Sequence, residues 1–193
     1  MANPDEAVLL WLNGQVGRFP PLDRAMELLV SDYLVPVGMA LTVLALWFSA
    51  PDRATRMKQQ IGVFAALTAL GLSSLAVFVI NSVYFRPRPF VDHDLTLLFY
   101  QPTDSSFPAN SVAAAFGLAT VVWSVNRPVG ISLLLAAFAW GFARVYSGVH
   151  YPSDVLAAAA IGIIVGILVL KLRDLLGPIP VWVIKAARLI CLA

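Results

Sequence analysis

Charge is scarce in this sequence. Asp, Glu, Lys and Arg make up 12% of its residues, where soluble domains carry roughly a quarter, so the chain cannot clothe itself in an ordinary water-facing surface. Cysteine is scarcer still: Cys191 has no partner for a disulfide and cannot build a thiolate metal cluster. A basic block is missing too. The net charge of +2 comes from scattered arginines and lysines and leaves no footprint for a nucleic acid. The first apolar stretch carries Asp5 and Glu6 in place of a basic flank, and no small-residue cleavage site follows, so a removable signal peptide is not expected.

What the chain has instead is apolar length. Hydrophobic side chains make up 60% of the 193 residues, and the mean hydropathy is +0.82. Apolar runs of about 17–20 residues recur, which is what a helix needs to cross a hydrocarbon core of roughly 30 Å. The pattern predicts an all-α, multi-pass transmembrane bundle of about five to six spanning helices, the clearest at 33–49, 61–85, 109–125, 129–146 and 154–172. Residues 5–14 and 21–31, and the tail 181–192 with Trp182, mix apolar and charged side chains and suit helices lying at the interface. No internal repeat or low-complexity segment divides the chain, so one domain over 1–193 is expected.

Cytoplasmic connections retain Lys and Arg. Arg53, Arg56 and Lys58, then Arg127, then Lys171, Arg173, Lys185 and Arg188 share one side in this reading. Arg18, Arg24, Arg86, Arg88 and Arg144 share the other, together with the acidic N-terminal stretch. The expected location is a cell membrane, with the N-terminus, the 86–108 loop and the 146–153 loop on the extracytoplasmic face.

Polar residues at a membrane edge are costly and mark candidates for function. Arg86, Arg88 and Arg144 suit a phosphoryl group, because a planar guanidinium matches phosphate oxygens in pairs; headgroup neutralisation accounts for any one of them about as well. His150 and Asp154 lie four apart where the fifth span begins. A carboxylate there accepts a hydrogen bond from one ring nitrogen and leaves the other free to attack. An interfacial histidine beside a helix-start carboxylate fits the same spacing. His93, between Asp92 and Asp94, reads as a solvated loop residue rather than a substitute acid, and Asp104 as a loop or helix-start residue. Asn110 and Ser111 are candidate phosphate donors at a helix N-terminus.

In this order, RPRPFVDHD at 86–94, SSFPAN at 105–110 and GVHYPSDV at 148–155 resemble the three signature motifs of the type 2 phosphatidic acid phosphatase superfamily. Within it they are most similar to the bacitracin-resistance type of undecaprenyl-diphosphate phosphatase. The resemblance covers roughly residues 80–160. It implies a membrane lipid phosphatase that hydrolyses a polyprenyl diphosphate, the carrier lipid of cell-wall biogenesis, through a phosphohistidine. It further implies that Arg88, with Pro89, and Arg144 bind phosphate, that His150 is the nucleophile, and that Asp154 orients it. No metal or other cofactor is implied. The expected partners are the lipid bilayer and a polyprenyl or phospholipid phosphate substrate, with no nucleic acid and no obligatory protein partner.

The sequence departs from the family's pattern at four positions. Asn81 stands where the first motif has a lysine, with Arg86 as a partial substitute, and Ala143 replaces the serine that opens the third. In the second motif, Ala109 stands where a serine donates to phosphate and Ser111 where a histidine protonates the leaving group. A serine hydroxyl has no pKa near neutrality. Expelling a lipid monophosphate from a diphosphate needs a proton far less than expelling an alkoxide from a monoester, so a preference for diphosphates is expected. Two further readings share these residues, a lipid phosphotransferase and a lipid-phosphate binder without turnover. A transporter is the weaker fit, because the spans at 61–80 and 155–170 carry no charge.

Overall fold

The computed structural model describes residues 3–176; Cys191 and the interfacial helix expected over 181–192 lie outside the described residues. Among the described residues eight helices follow one another: α1 (Pro4–Asn13), α2 (Pro20–Val30), α3 (Leu34–Phe48), α4 (Arg53–Val83), α5 (Pro89–Asp92), α6 (Asn110–Val125), α7 (Arg127–Tyr146) and α8 (Pro152–Leu176). No strand occurs among the described residues. Proline opens or nearly opens α1, α2, α5 and α7, where its missing N–H costs nothing. Asp52 caps α4, its Oδ1 accepting from the N–H groups of Ala54 and Thr55 at 2.9 Å each.

By length and composition, α4, α7 and α8 can each cross a membrane, and α2 with α3 passes as a single span bent by 55°. Residues 21–31, expected to lie flat at the interface, form α2, which packs against α7 and meets α3 at that bend, as in a broken span or a re-entrant loop. The elbow falls at Ser31 to Tyr33, where the backbone turns away from helical angles after Val30. The 31 residues of α4 reach about 46 Å, well beyond the hydrocarbon core. By contrast α6 has 16 residues and spans only about 24 Å.

The short α6 is the axis of the bundle. It packs against α4, α7 and α8, and Val112, Phe116, Leu118, Val121 and Val122 are all buried. Its apolar sequence answers to protein on every side rather than to lipid. The outer helices show the opposite pattern. Leu41, Phe78, Leu135 and Leu168 are each more than half exposed, an arrangement that water would penalise and a bilayer does not. Close approach of α8 to α6 rests on Gly162, where a Cβ would run into Ala113 O and the backbone N of Gly117.

Helix direction brings the motif-bearing connections together. α4 and α7 finish, and α6 and α8 start, at one end of the bundle, where α1 also docks against α7 and α8. At the other end Lys58 and Arg173 line one cleft with Ser124.

Candidate active site

Three connections meet at the end of the bundle where α6 and α8 start. Beyond α4 the chain reads Arg86-Pro87-Arg88-Pro89, and a residue preceding proline is held extended; Arg88 has φ −78° and ψ 152°. This segment pairs with the one before α6, since the Ser106 N–H donates to Arg86 O at 2.9 Å and the Arg86 N–H to Ser105 Oγ at 3.1 Å. The third connection leaves α7 through Gly148, whose φ of +76° suits a residue without a Cβ. The reversal delivers His150 to the centre, 2% exposed.

A carbonyl oxygen fixes the histidine's tautomer. His150 Nδ1 lies 2.9 Å from Ser106 O, and because a carbonyl only accepts, Nδ1 carries the hydrogen and Nε2 keeps its lone pair. Asp154, expected to take that hydrogen bond, has Oδ2 3.8 Å from Nδ1, too far to accept it directly. Its carboxylate instead accepts from Ser106 Oγ and from the Tyr151 N–H at 2.9 Å. The second contact closes the first turn of α8 as the N3 half of a capping box. Asp154 thus caps its helix and holds the very residue whose carbonyl orients the ring.

Burial, before anything else, pushes the His150 imidazole below its ordinary pKa; Asp154 opposes this, and the charges of Arg88 and Arg144 reinforce it. The ring is therefore neutral near pH 7.

The three arginines part company. Arg88 is 5% exposed and stands beside the ring's other nitrogen, its Nη1 donating to Val149 O at 3.0 Å and lying 3.2 Å from His150 Nε2. Asp104 holds the rest of that guanidinium, through its carbonyl to Nε at 3.0 Å and its carboxylate to Nη2 at 2.7 Å. Arg144, also 5% exposed, pairs with Asp32 at 2.7 Å. Arg86 turns the other way, bridging Asp154 at 2.6 Å and Asp5 of α1 at 2.8 Å while lying over the Tyr151 ring. Its guanidinium is held by two carboxylates, one of them fully buried. Those partners keep Arg86 protonated, raising its pKa against the opposing effect of burial.

The remaining predicted residues frame this cluster, and no side chain of theirs is hydrogen-bonded to it among the described residues. Pro89 is buried at the start of α5. Ala109, fully buried, precedes α6 and sends its N–H to Asp154 O at 3.3 Å. Asn110 is exposed at the first turn of α6, whose N-terminal dipole, like that of α8, favours an anion here. Ser111 lines an apolar cavity between α3, α4 and α6. Asn81 Oδ1 is buried without a partner among the described residues. His93 is half-buried with its ring edge-on to Tyr151, 6.4 Å between centroids, rather than free in solvent. Among the described residues no group of three or more His, Cys, Asp or Glu side chains is placed to hold a metal ion.

Sequence reasoning missed Ser106, Asp5 and Asp32. Ser106 sits inside the SSFPAN motif, and its role lies partly in a main-chain carbonyl, which no side-chain pattern reveals. Asp5 and Asp32 reach the site from 81 and 112 residues away along the chain; their only signal is a carboxylate beside an apolar run.

The same arrangement of helices is found elsewhere. The structure superposes on the crystal structure of LpxE from Aquifex aeolicus with a TM-score of 0.68 and 31% sequence identity, over 88% of this chain and 96% of that one. On the transmembrane PAP2 type phosphatidylglycerolphosphate phosphatase from Bacillus subtilis the TM-score is 0.63 at 21% identity, over 90% and 88% of the two chains. The undecaprenyl-diphosphatase BcrC of Bacillus subtilis (strain 168) is 34% identical over 158 residues, 81% of this chain and 78% of that protein. The model of the PAP2 superfamily matches residues 62–177, from the middle of α4 past the end of α8, and takes in Arg88, Arg144, His150 and Asp154. With the motif residues folded into one buried cluster and more than half of the chain matched, this protein belongs to the PAP2 superfamily.

Proposed function

We propose that the protein is an integral-membrane phosphatase that hydrolyses a polyprenyl diphosphate, undecaprenyl diphosphate in the first instance, to the monophosphate and inorganic phosphate. The observation that carries this is a neutral, buried His150 whose Nε2 lone pair faces Arg88 Nη1 at 3.2 Å. Nε2 attacks the terminal phosphorus, the N–P bond forms, and the bridging P–O bond breaks toward the lipid monophosphate, which leaves as an anion. The phosphorylated ring, bearing hydrogen on Nδ1, is positive, and Ser106 O with the Asp154 carboxylate behind it stabilises that charge. Water then attacks phosphorus on the phosphohistidine, releases inorganic phosphate and restores neutral imidazole. Arg88, Arg144 and the N-termini of α6 and α8 stabilise the phosphoryl oxygens throughout.

A lipid tail fits the surroundings. The cavity lined by Ser111 has a volume of about 610 Å³, and its other walls include Met39, Val43, Phe64, Leu67 and Trp140. It starts in the first turn of α6, next to the phosphate end, and runs along apolar helix faces. Ser111 supplies no general acid, so the leaving group has to be stable as an anion, which a lipid monophosphate is and a lipid alkoxide is not. The positive-inside count supports an orientation with the phosphate end on the extracytoplasmic face.

The test is phosphate release from undecaprenyl diphosphate by purified protein in detergent with chelator present. Turnover is expected, abolished by His150→Ala. Phosphatidic acid is expected to be the poorer substrate by roughly 10²-fold or more, the usual worth of a missing general acid, and Ser111→His is expected to narrow that gap. Equal rates on the two lipids would overturn the diphosphate assignment, and release that survives His150→Ala would overturn the mechanism.

A further inference from the structure

Arg88 and Arg144 are both 5% exposed, yet they are held differently. Two main-chain carbonyls, Asp104 O and Val149 O, fix Arg88 whatever else is bound. Arg144 has one hydrogen bond from its guanidinium among the described residues, Nη2 to Asp32 Oδ1 at 2.7 Å. Its Nε is buried without a partner, and its flanks are rings, Trp140 at 5.0 Å and Phe99 at 5.4 Å. The Asp32 side chain is 43% exposed. It sits at the elbow between α2 and α3 and takes a second hydrogen bond from Tyr100 Oη at 3.1 Å.

A carboxylate and a phosphate offer a guanidinium the same paired oxygens. A buried guanidinium cannot be left unpaired without a large desolvation cost, whereas a half-exposed carboxylate returns to water cheaply. The two partners of Arg144 are thus exchangeable. We propose that Asp32 is a tethered counter-ion that competes with the substrate's phosphate for Arg144, yielding it when phosphate arrives and reclaiming it as inorganic phosphate leaves. Asp32 so sets how tightly the site holds phosphate and prevents the freed product from lingering. This rests on the reading that Arg144 binds phosphate.

The direction of the effect separates this role from a structural one. Asn at position 32 keeps an oxygen for Arg144 Nη2 and removes the charge. Titrating inorganic phosphate at constant ionic strength into the full-length protein in detergent, Asp32→Asn is expected to bind it roughly two- to fivefold more tightly than the unaltered chain, the worth of one partly exposed ion pair. Asp32→Ser should shift affinity the same way. Were Asp32 merely a strut for Arg144, either change would loosen the arginine and weaken phosphate binding. Unchanged or weaker binding in both variants overturns the proposal. Arg144→Ala tests the underlying reading separately: it should lose phosphate binding, and affinity that survives it would remove Arg144 from the site. Loss with Arg144→Ala alongside no gain with Asp32→Asn would leave the phosphate role standing and reject the counter-ion.

Discussion

In the proposed mechanism two features set when His150 reacts: the Ser106 carbonyl chooses which nitrogen keeps its lone pair, and burial lowers the pH at which that lone pair is lost. Protonation of Nε2 destroys the nucleophile, and a pKa below the ordinary histidine value of roughly 6.5 moves that loss to lower pH. The acid limb of kcat/KM, which reports the free enzyme, is expected below pH 6.5 with a diphosphate substrate; a limb at or above that value would mean the ring is not desolvated as the structure has it. The two arginines of the first motif give a second contrast. Arg86→Ala strips the cation from Asp154, which is completely buried, and an uncompensated buried charge costs about 3–5 kcal/mol. Arg88→Ala leaves behind Asp104, which is two-thirds exposed and easily solvated. Thermal unfolding of the purified variants should therefore show Arg86→Ala strongly destabilised and Arg88→Ala folded but inactive. A stable Arg86→Ala protein with only a raised KM would return Arg86 to the phosphate. From the sequence the two residues look equivalent, because composition reports that guanidiniums are near a site and not which carboxylates claim them.

Hydropathy located the helices well. The five segments expected as spans are all helical, α3, α4, α6, α7 and α8, but by length and composition only α4, α7 and α8 cross alone, α3 does so only together with α2, and α6 is too short. It could not tell which helix faces lipid and which faces protein, so nothing in the run 109–125 announces that α6 is the axis, and nothing in 21–31 announces a bend. Small residues carry part of that missing information. In α8 a Cβ at Gly162 would strike Ala113 O and the Gly117 backbone, while in α4 the space around Gly71 is open. Alanine is the better helix former by about 1 kcal/mol, so Gly71→Ala is expected to raise the unfolding temperature in detergent slightly. Gly162→Ala should lower it, because overpacking of roughly 1–3 kcal/mol outweighs the gain in propensity. If both substitutions moved stability in the same direction, the close α6–α8 contact would be wrong.

Over the whole molecule, charge is segregated by end. The end that holds the proposed phosphate site gathers Asp5, Asp32, Asp104 and Asp154 against Arg86, Arg88 and Arg144, a nearly balanced set in which each arginine already has a carboxylate. The other end carries Arg53, Arg56 and Lys58 at the start of α4, Arg127 at the start of α7 and Lys171 and Arg173 near the end of α8, with few acids to match. Cytoplasmic connections retain Lys and Arg, so this excess marks the far end as the cytoplasmic one in the proposed orientation. In a Cys191→Ser background, Asp94→Cys marks the loop at the phosphate end and Ala54→Cys the opposite end, both positions being exposed. With a membrane-impermeant thiol reagent, Asp94→Cys is expected to label in intact cells and Ala54→Cys only after permeabilisation. The converse pattern would place His150 on the cytoplasmic face, and a phosphatase facing that way would act on a different pool of lipid diphosphate and release its phosphate inside the cell.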